Sequence, residues 1–130
     1  MIQKERADER EANWASNWET LMEGYDTFGN KVRSFADETL KKYKFYLGHF
    51  FLWLVLKSGL DELGELDAKT LDAFVLGYAE THKPGSRSVM HSALRSFLHF
   101  SYINRHVSID LRYGVPVVRE WALQAPFYSR

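Results

Sequence analysis

The sequence has no cysteine, so disulfide bonds, thiolate chemistry and cysteine-based zinc sites are excluded. Long hydrophobic runs are also absent. The longest, FFLWLVL at residues 50–56, is far shorter than the ~20 apolar residues that span a bilayer. The first residues, MIQKERADEREAN, are charged and lack the apolar core of a signal peptide. We therefore expect a cytoplasmic protein that has no membrane partner.

Familiar catalytic and metal-binding motifs are missing as well. There is no glycine-rich phosphate loop, no nucleophile elbow and no HExxH, and the five histidines lack a familiar metal spacing. The acidic residues between Asp61 and Asp72 do not match a calcium loop and are typical of a solvated loop and helix start. We expect no cofactor, no metal, no small-molecule substrate and no catalysis by this chain alone.

The composition is that of one folded domain, with 45% apolar and 26% charged residues in 130. The net charge is zero, but its distribution is segregated. Residues 1–30, 31–58, 59–82 and 83–130 carry net charges of −4, +4, −5 and +5. A balanced chain with segregated charge can still present a basic face to a partner.

An amphipathic pattern predicts a first helix over residues 1–25, before Gly24, Gly29 and Asn30 break it. Its apolar stripe consists of Trp14, Trp18, Leu21, Met22 and Tyr25. Two interpretations remain open. The tryptophans pack on the core, or they form an aromatic face for a partner subunit.

The second predicted helix begins near Ser34, which has capping-box spacing to Asp37, and ends by Gly59. It has apolar residues on two sides. One stripe runs along Leu40, Tyr43, Leu47, Phe50, Phe51 and Leu54, and the other along Phe45, Leu52 and Leu56. Because a helix that is apolar on most sides is buried by several neighbours, this pattern predicts the central helix of the fold.

Two further helices are predicted downstream. Asp67 is placed to cap the third, which ends at His82, and Ser86 is placed to cap the fourth, over about 86–103. A helical turn near 108–113 and a last segment around Trp121 follow. Since no stretch alternates as a strand, the fold class is all-α, a bundle of four or five helices.

The fourth helix carries a row of basic side chains. Arg87, His91, Arg95 and His99 are spaced by four and form one ridge, with Ser88 beside it. Such side chains suit DNA phosphates and base edges in the major groove. The alternative, a charged face that is only solvated, remains open for this row taken alone.

A second basic cluster, Lys41, Lys42 and Lys44, lies in the first turns of the second helix, just after Lys31 and Arg33. Two basic helix ends on one small domain could both meet a DNA duplex. This pair of features favours nucleic-acid binding over a solvated face.

The residues also resemble a known family, the tyrosine recombinases of the phage-integrase type, over about residues 33–128. The resemblance is to their core-binding domain, which is SAM-like. It rests on Thr39, Tyr43, Leu47, Phe50 and Trp53-Leu54, on Leu66-Asp67-Ala68, on Ala93-Leu94-Arg95-Ser96-Phe97-Leu98, and on Asp110-Leu111, Val115-Pro116, Trp121 and Ala125-Pro126. The sequence departs from the family's usual glycine after the last long helix, and we expect Asn104 to take the left-handed conformation there.

The resemblance implies a DNA-binding domain that forms half of a clamp on double-stranded DNA and also touches other recombinase subunits. It implies a core-binding domain at 31–124 and, at 125–130, the start of a linker to an absent catalytic domain. Residues 1–30 lie outside the resemblance, and we expect them to form an N-terminal amphipathic helix extension. Arg87, Ser88, His91 and Arg95 would contact groove and backbone. Lys41, Lys42 and Lys44 would hold phosphates.

Two alternatives stay open at this point. Arg95 could brace the helical bundle instead of contacting DNA. The whole domain could instead be a helical protein–protein interaction module that uses its tryptophan-rich first helix.

Overall fold

The computed structural model describes residues 2–115, and over this range the chain is helical and contains no strand. The predicted all-α helical bundle is therefore confirmed. Its α-helices are α1 (Ile2–Thr27), α2 (Asp37–Trp53), α3 (Ala68–Thr81) and α4 (Pro84–Ile103). Wider π-helical turns follow α1 at Phe28–Val32 and α2 at Leu54–Ser58, and 3-10 turns lie at Leu63–Glu65 and Leu111–Gly114. The segment predicted around Trp121 and the linker at 125–130 lie outside the described residues.

The central helix of the bundle is α4, not α2 as the sequence predicted. Phe97 of α4 is fully buried, and its ring lies 5.3 Å from that of Trp18, 6.0 Å from that of Tyr25 and 6.4 Å from that of Phe50. One side chain of α4 thus joins α1 and α2 in one core, because it lies between both helices.

The second apolar stripe of α2 is exposed, which is why the prediction of a central α2 was wrong. Phe45, Leu52 and Leu56 are 67%, 54% and 63% exposed. The opposite face, with Leu47 and Phe50, is fully buried against the rest of the bundle. The sequence pattern correctly predicted two apolar faces on α2, but only one of them packs against another helix within the described part of the chain.

The tryptophan stripe of α1 packs on the core, as the first of its two interpretations held. Trp14 and Trp18 are buried. The Trp14 indole donates to the Leu60 carbonyl at 2.9 Å, and Arg10 donates to the same carbonyl and, at 2.6 Å, to that of Val55. These bonds satisfy the carbonyl of Val55 in the π-helical turn after α2 and that of Leu60 just beyond it.

Gly24 does not end α1, contrary to the sequence prediction. The helix continues to Thr27, and Gly24 faces Phe100 of α4. A Cβ atom at this position would lie 3.0 Å from Cζ of Phe100. The glycine therefore serves the close approach of α1 to α4.

Two of the three predicted helix caps were wrong. Ser34 adopts a positive φ of 52° and caps nothing, because α2 begins three residues later at Asp37. Ser86 lies inside α4, which starts at Pro84 because proline suits the first helical position. Asp67 caps α3 as predicted, accepting from the Thr70 amide at 2.8 Å.

The chain after α4 turns back along that helix. Asn104 has a φ of −95°, so the left-handed position predicted for it is taken instead by Arg105, with a φ of 63°. The predicted turn near 108–113 is present at Leu111–Gly114, with Asp110 accepting from the Arg112 amide at 3.2 Å. The turn packs against α4 and brings Arg112 to a cleft that Arg95 and His99 of α4 also line.

Candidate nucleic-acid interface

The three predicted lysines of α2 differ in their surroundings. Lys41 and Lys42 are exposed in the second turn of the helix. Lys44 instead forms an ion pair with Asp26 of α1, with Nζ 2.8 Å from the carboxylate oxygen. Lys41 and Lys42 are therefore available to a partner, while the charge of Lys44 is already paired within the bundle.

The first two predicted residues of α4 do not share one environment either. The Arg87 side chain is half-buried, and its Nε donates to the His82 carbonyl at 2.8 Å. This bond ties the start of α4 to the end of α3. Ser88, the next residue, is exposed. Arg87 thus supports the α3–α4 turn, and Ser88 remains open to solvent.

The remaining predicted residues, His91 and Arg95, line a cleft of about 430 Å³ that we call the basic cleft. Among the described residues, its lining is Arg33, Phe35, Tyr43, His91, Ser92, Arg95, Ser96, His99 and Arg112. The arginines come from three separate segments, namely the stretch before α2, α4 and the turn after α4. Within residues 2–115, no acidic side chain belongs to this lining.

Aromatic rings lie against each of the three guanidinium groups. The Arg33 guanidinium carbon is 5.0 Å from the centre of the Phe35 ring. Those of Arg95 and Arg112 lie 5.8 and 4.6 Å from the centre of one ring, that of Tyr113. Cation–π contacts of this kind hold a guanidinium in place without using its hydrogen-bond donors.

One acid stands close to the basic cleft. Asp110 lies 3.2 Å from Arg112 in an ion pair, with both side chains largely buried. Arg112 is therefore partly neutralised, while Arg33 and Arg95 have no carboxylate partner among the residues that the structure describes.

Both histidines of the basic cleft favour the neutral form. Burial, and then the charge of Arg95, lower the pKa of His91 below its ordinary value. A hydrogen bond with the Val115 backbone acts in the opposite direction and raises this pKa. The pKa of His99 is also lowered, by burial first and then by Arg112 and Arg33, with Asp110 opposing. Desolvation and nearby positive charge both disfavour an imidazolium.

Several buried nitrogen atoms at the basic cleft have no hydrogen-bond partner within residues 2–115. They are Nε2 of His91, Nδ1 of His99 and Nε of Arg112. Buried polar atoms are nearly always hydrogen-bonded in folded proteins. These orphaned nitrogens belong to three side chains that line one cleft.

Sequence reasoning missed part of the site. Arg112 and Tyr43 were not among the predicted contacts, and Arg33 was noted only as a neighbour of the lysines. Position in the sequence could not reveal Arg112, because it reaches the basic cleft only when the Leu111–Gly114 turn folds back on α4. The Asp110 cap two residues before it was the available signal.

The acidic stretch between Asp61 and Asp72 comprises a structured loop, the Asp67 cap and the first turns of α3. Glu65 accepts from the amides of Asp61 and Glu62 at 2.6 and 3.1 Å. Within the described range, no group of three or more histidine, aspartate or glutamate side chains is placed to hold a metal ion.

Comparison with known proteins identifies no relative. No protein-family model matches the chain, and no curated protein or solved structure matches it either.

None of the helices described between residues 2 and 115 has the length and hydrophobicity to cross a membrane.

Proposed function

We propose that this domain binds duplex DNA without catalysis, as the SAM-like core-binding domain of a site-specific tyrosine recombinase. The observation that carries the proposal is the basic cleft, where Arg33, Arg95 and Arg112 converge from three segments beside two histidines. Like charges placed close together repel each other, and packing of the apolar core does not require them to meet. A bound polyanion would supply the negative charge that compensates this repulsion.

The exposed cations next to the basic cleft extend the proposed surface. Lys42 directly precedes Tyr43, which lines the cleft, and Lys41 is exposed beside it. Arginine forms paired hydrogen bonds with phosphate oxygens, while lysine acts as a mobile point charge. Together these side chains suit the regularly spaced phosphates of a duplex, with Ser88 free to reach a groove.

Two residues take roles other than those expected from the sequence. Arg87 positions the α3–α4 turn through His82 in this proposal, and Lys44 stabilises the bundle through Asp26. Arg95 is exposed at the basic cleft, which supports a contact with DNA over a bracing role. The proposed partners are double-stranded DNA and other recombinase subunits bound to it. The proposed location is the cytoplasm.

The proposal is tested by a matched pair of double variants. Lys42→Gln with Arg95→Gln removes two charges from the proposed surface, and Lys57→Gln with Lys69→Gln removes two exposed charges elsewhere. We expect the first pair to weaken duplex binding and to reduce the slope of log K against log salt by about 0.9 per lost phosphate contact. Equal affinity and slope in the two double variants would refute the assignment.

A second candidate function is a helical protein–protein interaction module. Its original basis, the tryptophans of α1, is gone because Trp14 and Trp18 are buried. The exposed stripe of Phe45, Leu52 and Leu56 on α2 now favours it, since these residues form one apolar face. Leu52→Ser with Leu56→Ser separates the two functions, because this variant leaves duplex binding unchanged under the leading proposal.

A further inference from the structure

The basic cleft has a net charge that a single phosphodiester does not balance. Its three arginines contribute three positive charges, and Asp110 offsets one of them through Arg112. Since burial and the arginines favour neutral histidines, two positive charges remain near neutral pH. A phosphate monoester carries about −1.5 to −2 at this pH, whereas each backbone diester of DNA carries only one negative charge.

The hydrogen-bonding groups of the basic cleft match a terminal phosphate. The orphaned nitrogens of His91, His99 and Arg112 come from two elements, α4 and the turn that packs against it. The Ser92 hydroxyl is exposed at the same cleft. A phosphate monoester presents three terminal oxygens, each of which can accept more than one such bond.

The cleft has room for more than a phosphate group. Its volume of about 430 Å³ lies within the range of small-molecule sites, roughly 300–1,000 Å³. Phe35 and Tyr43 meet edge to face, with ring centres 5.2 Å apart, and line the same cleft. Rings of this kind suit stacking with a nucleobase attached to the phosphate.

We propose that the basic cleft binds a nucleotide phosphate monoester, supplied either as a free nucleoside 5′-monophosphate or as the 5′-phosphorylated end of a DNA strand. The inference rests on the site of the proposed function and deepens it by naming a terminal phosphate. Binding places the dianion between the three arginines, so both histidines gain a negatively charged neighbour. Protonation of His91, which faces Arg95, and of His99, which faces Arg33, Arg112 and Asp110, becomes easier.

The experiment is a titration of the domain with adenosine 5′-monophosphate, followed through the histidine ring protons by NMR. We expect saturable shifts of His91 and His99 and a rise of both histidine pKa values in the complex. Adenosine, which lacks the phosphate, produces neither effect at the same concentration. The proposal would be overturned if adenosine produced the same histidine shifts as the nucleotide. It would also be overturned if the nucleotide produced no shift.

Variants tie the effect to the basic cleft. Arg112→Gln weakens nucleotide binding at least tenfold, and Arg33→Gln, which breaks no ion pair of the described structure, does the same if Arg112→Gln fails to fold. Lys57→Gln is the control, because it lies fourteen residues beyond Tyr43 along α2 and its extension, about 20 Å away. Unchanged affinity in both cleft variants contradicts the proposal.

Duplexes with 5′-phosphate and with 5′-hydroxyl ends distinguish the two sources. Tighter binding of the phosphorylated duplex, reversed by free nucleotide, identifies the strand end as the ligand, and equal binding identifies the free nucleotide. Failure of this inference is separable from failure of the proposed function. A 5′-hydroxyl duplex still binds in a salt-dependent manner when only the nucleotide site is wrong.

Discussion

The hydroxyl groups of Tyr25 and Ser96 lie 2.6 Å apart inside the core and join α1 to α4. Ser96 Oγ donates to the Ala93 carbonyl at 2.9 Å, so its oxygen accepts from Tyr25. Burial raises the pKa of Tyr25 to about 12, which keeps the phenol protonated as a donor. Because Ser96 also lines the basic cleft, this bond links the packing of α1 to the floor of the candidate site.

Removal of the Tyr25 hydroxyl is the first prediction. Tyr25→Phe leaves the Ser96 oxygen without its donor in a buried position, and we expect a loss of about 1 kcal/mol in the free energy of unfolding. Urea denaturation measures the change. Tyr113→Phe is the control, because Tyr113 is 72% exposed. Equal losses in the two variants would mean that the buried bond contributes nothing.

The two buried serines of α4 provide the second prediction. Ser101 Oγ is buried and has no partner within the described residues, whereas Ser96 Oγ has two. Ser101→Ala therefore removes an unsatisfied hydroxyl and leaves stability unchanged or higher, while Ser96→Ala lowers it by about 1 kcal/mol. Helix propensity changes equally in both, so the difference isolates hydrogen bonding. The reverse order of melting temperatures would contradict the hydrogen bonding assigned to the two serines.

The core position of Phe97 is the third prediction. Phe97→Ala opens a cavity between three helices and should cost about 3–5 kcal/mol. Phe45→Ala, on the exposed face of α2, should cost far less because its side chain is 67% exposed. Thermal unfolding followed by circular dichroism compares them. An unchanged melting temperature in Phe97→Ala would contradict the assignment of α4 as the central helix.

The histidines of the basic cleft lead to the fourth prediction, a loss of stability in mild acid. In the unfolded chain His91 and His99 take up a proton near the ordinary pKa of about 6.5. In the folded chain both pKa values are lower, so the unfolded state binds more protons and stability falls as the pH drops through 6.5 towards the folded values.

Denaturation midpoints between about pH 7.5 and 5.5 measure this dependence. His91→Gln with His99→Gln flattens it, because the two histidines with lowered pKa are gone. His49, which is exposed on α2, provides the control as His49→Gln. A slope that persists unchanged in the double variant would place the acid sensitivity elsewhere.

Much of the fold was predictable because local rules apply to single helices. The Asp67 cap, the end of α3 at His82 and the buried stripe of α1 needed only spacing and side-chain chemistry. The choice of central helix did not follow from such rules. An apolar stripe such as that of Phe45 and Leu52 shows that a face is apolar, but not whether another element covers it.

The site was only partly predictable for a related reason. Spacing by four correctly placed His91, Arg95 and His99 on one side of α4. Arg87 starts the same row, but a carbonyl at the end of α3 takes up its side chain, and that contact depends on the turn between the helices. Arg33 and Arg112 reach the basic cleft through tertiary folding alone, because one precedes α4 in the sequence and the other follows it.

The most direct test of the central claim is fluorescence anisotropy of a labelled duplex of about 30 bp, titrated with the domain at about 20, 50 and 150 mM salt. We expect binding that weakens steeply with salt, with a slope that counts several phosphate contacts and falls in Lys42→Gln with Arg95→Gln. Absence of binding at the lowest salt and high micromolar protein would contradict it. The exposed stripe of α2 would then be the surface that deserves a partner search.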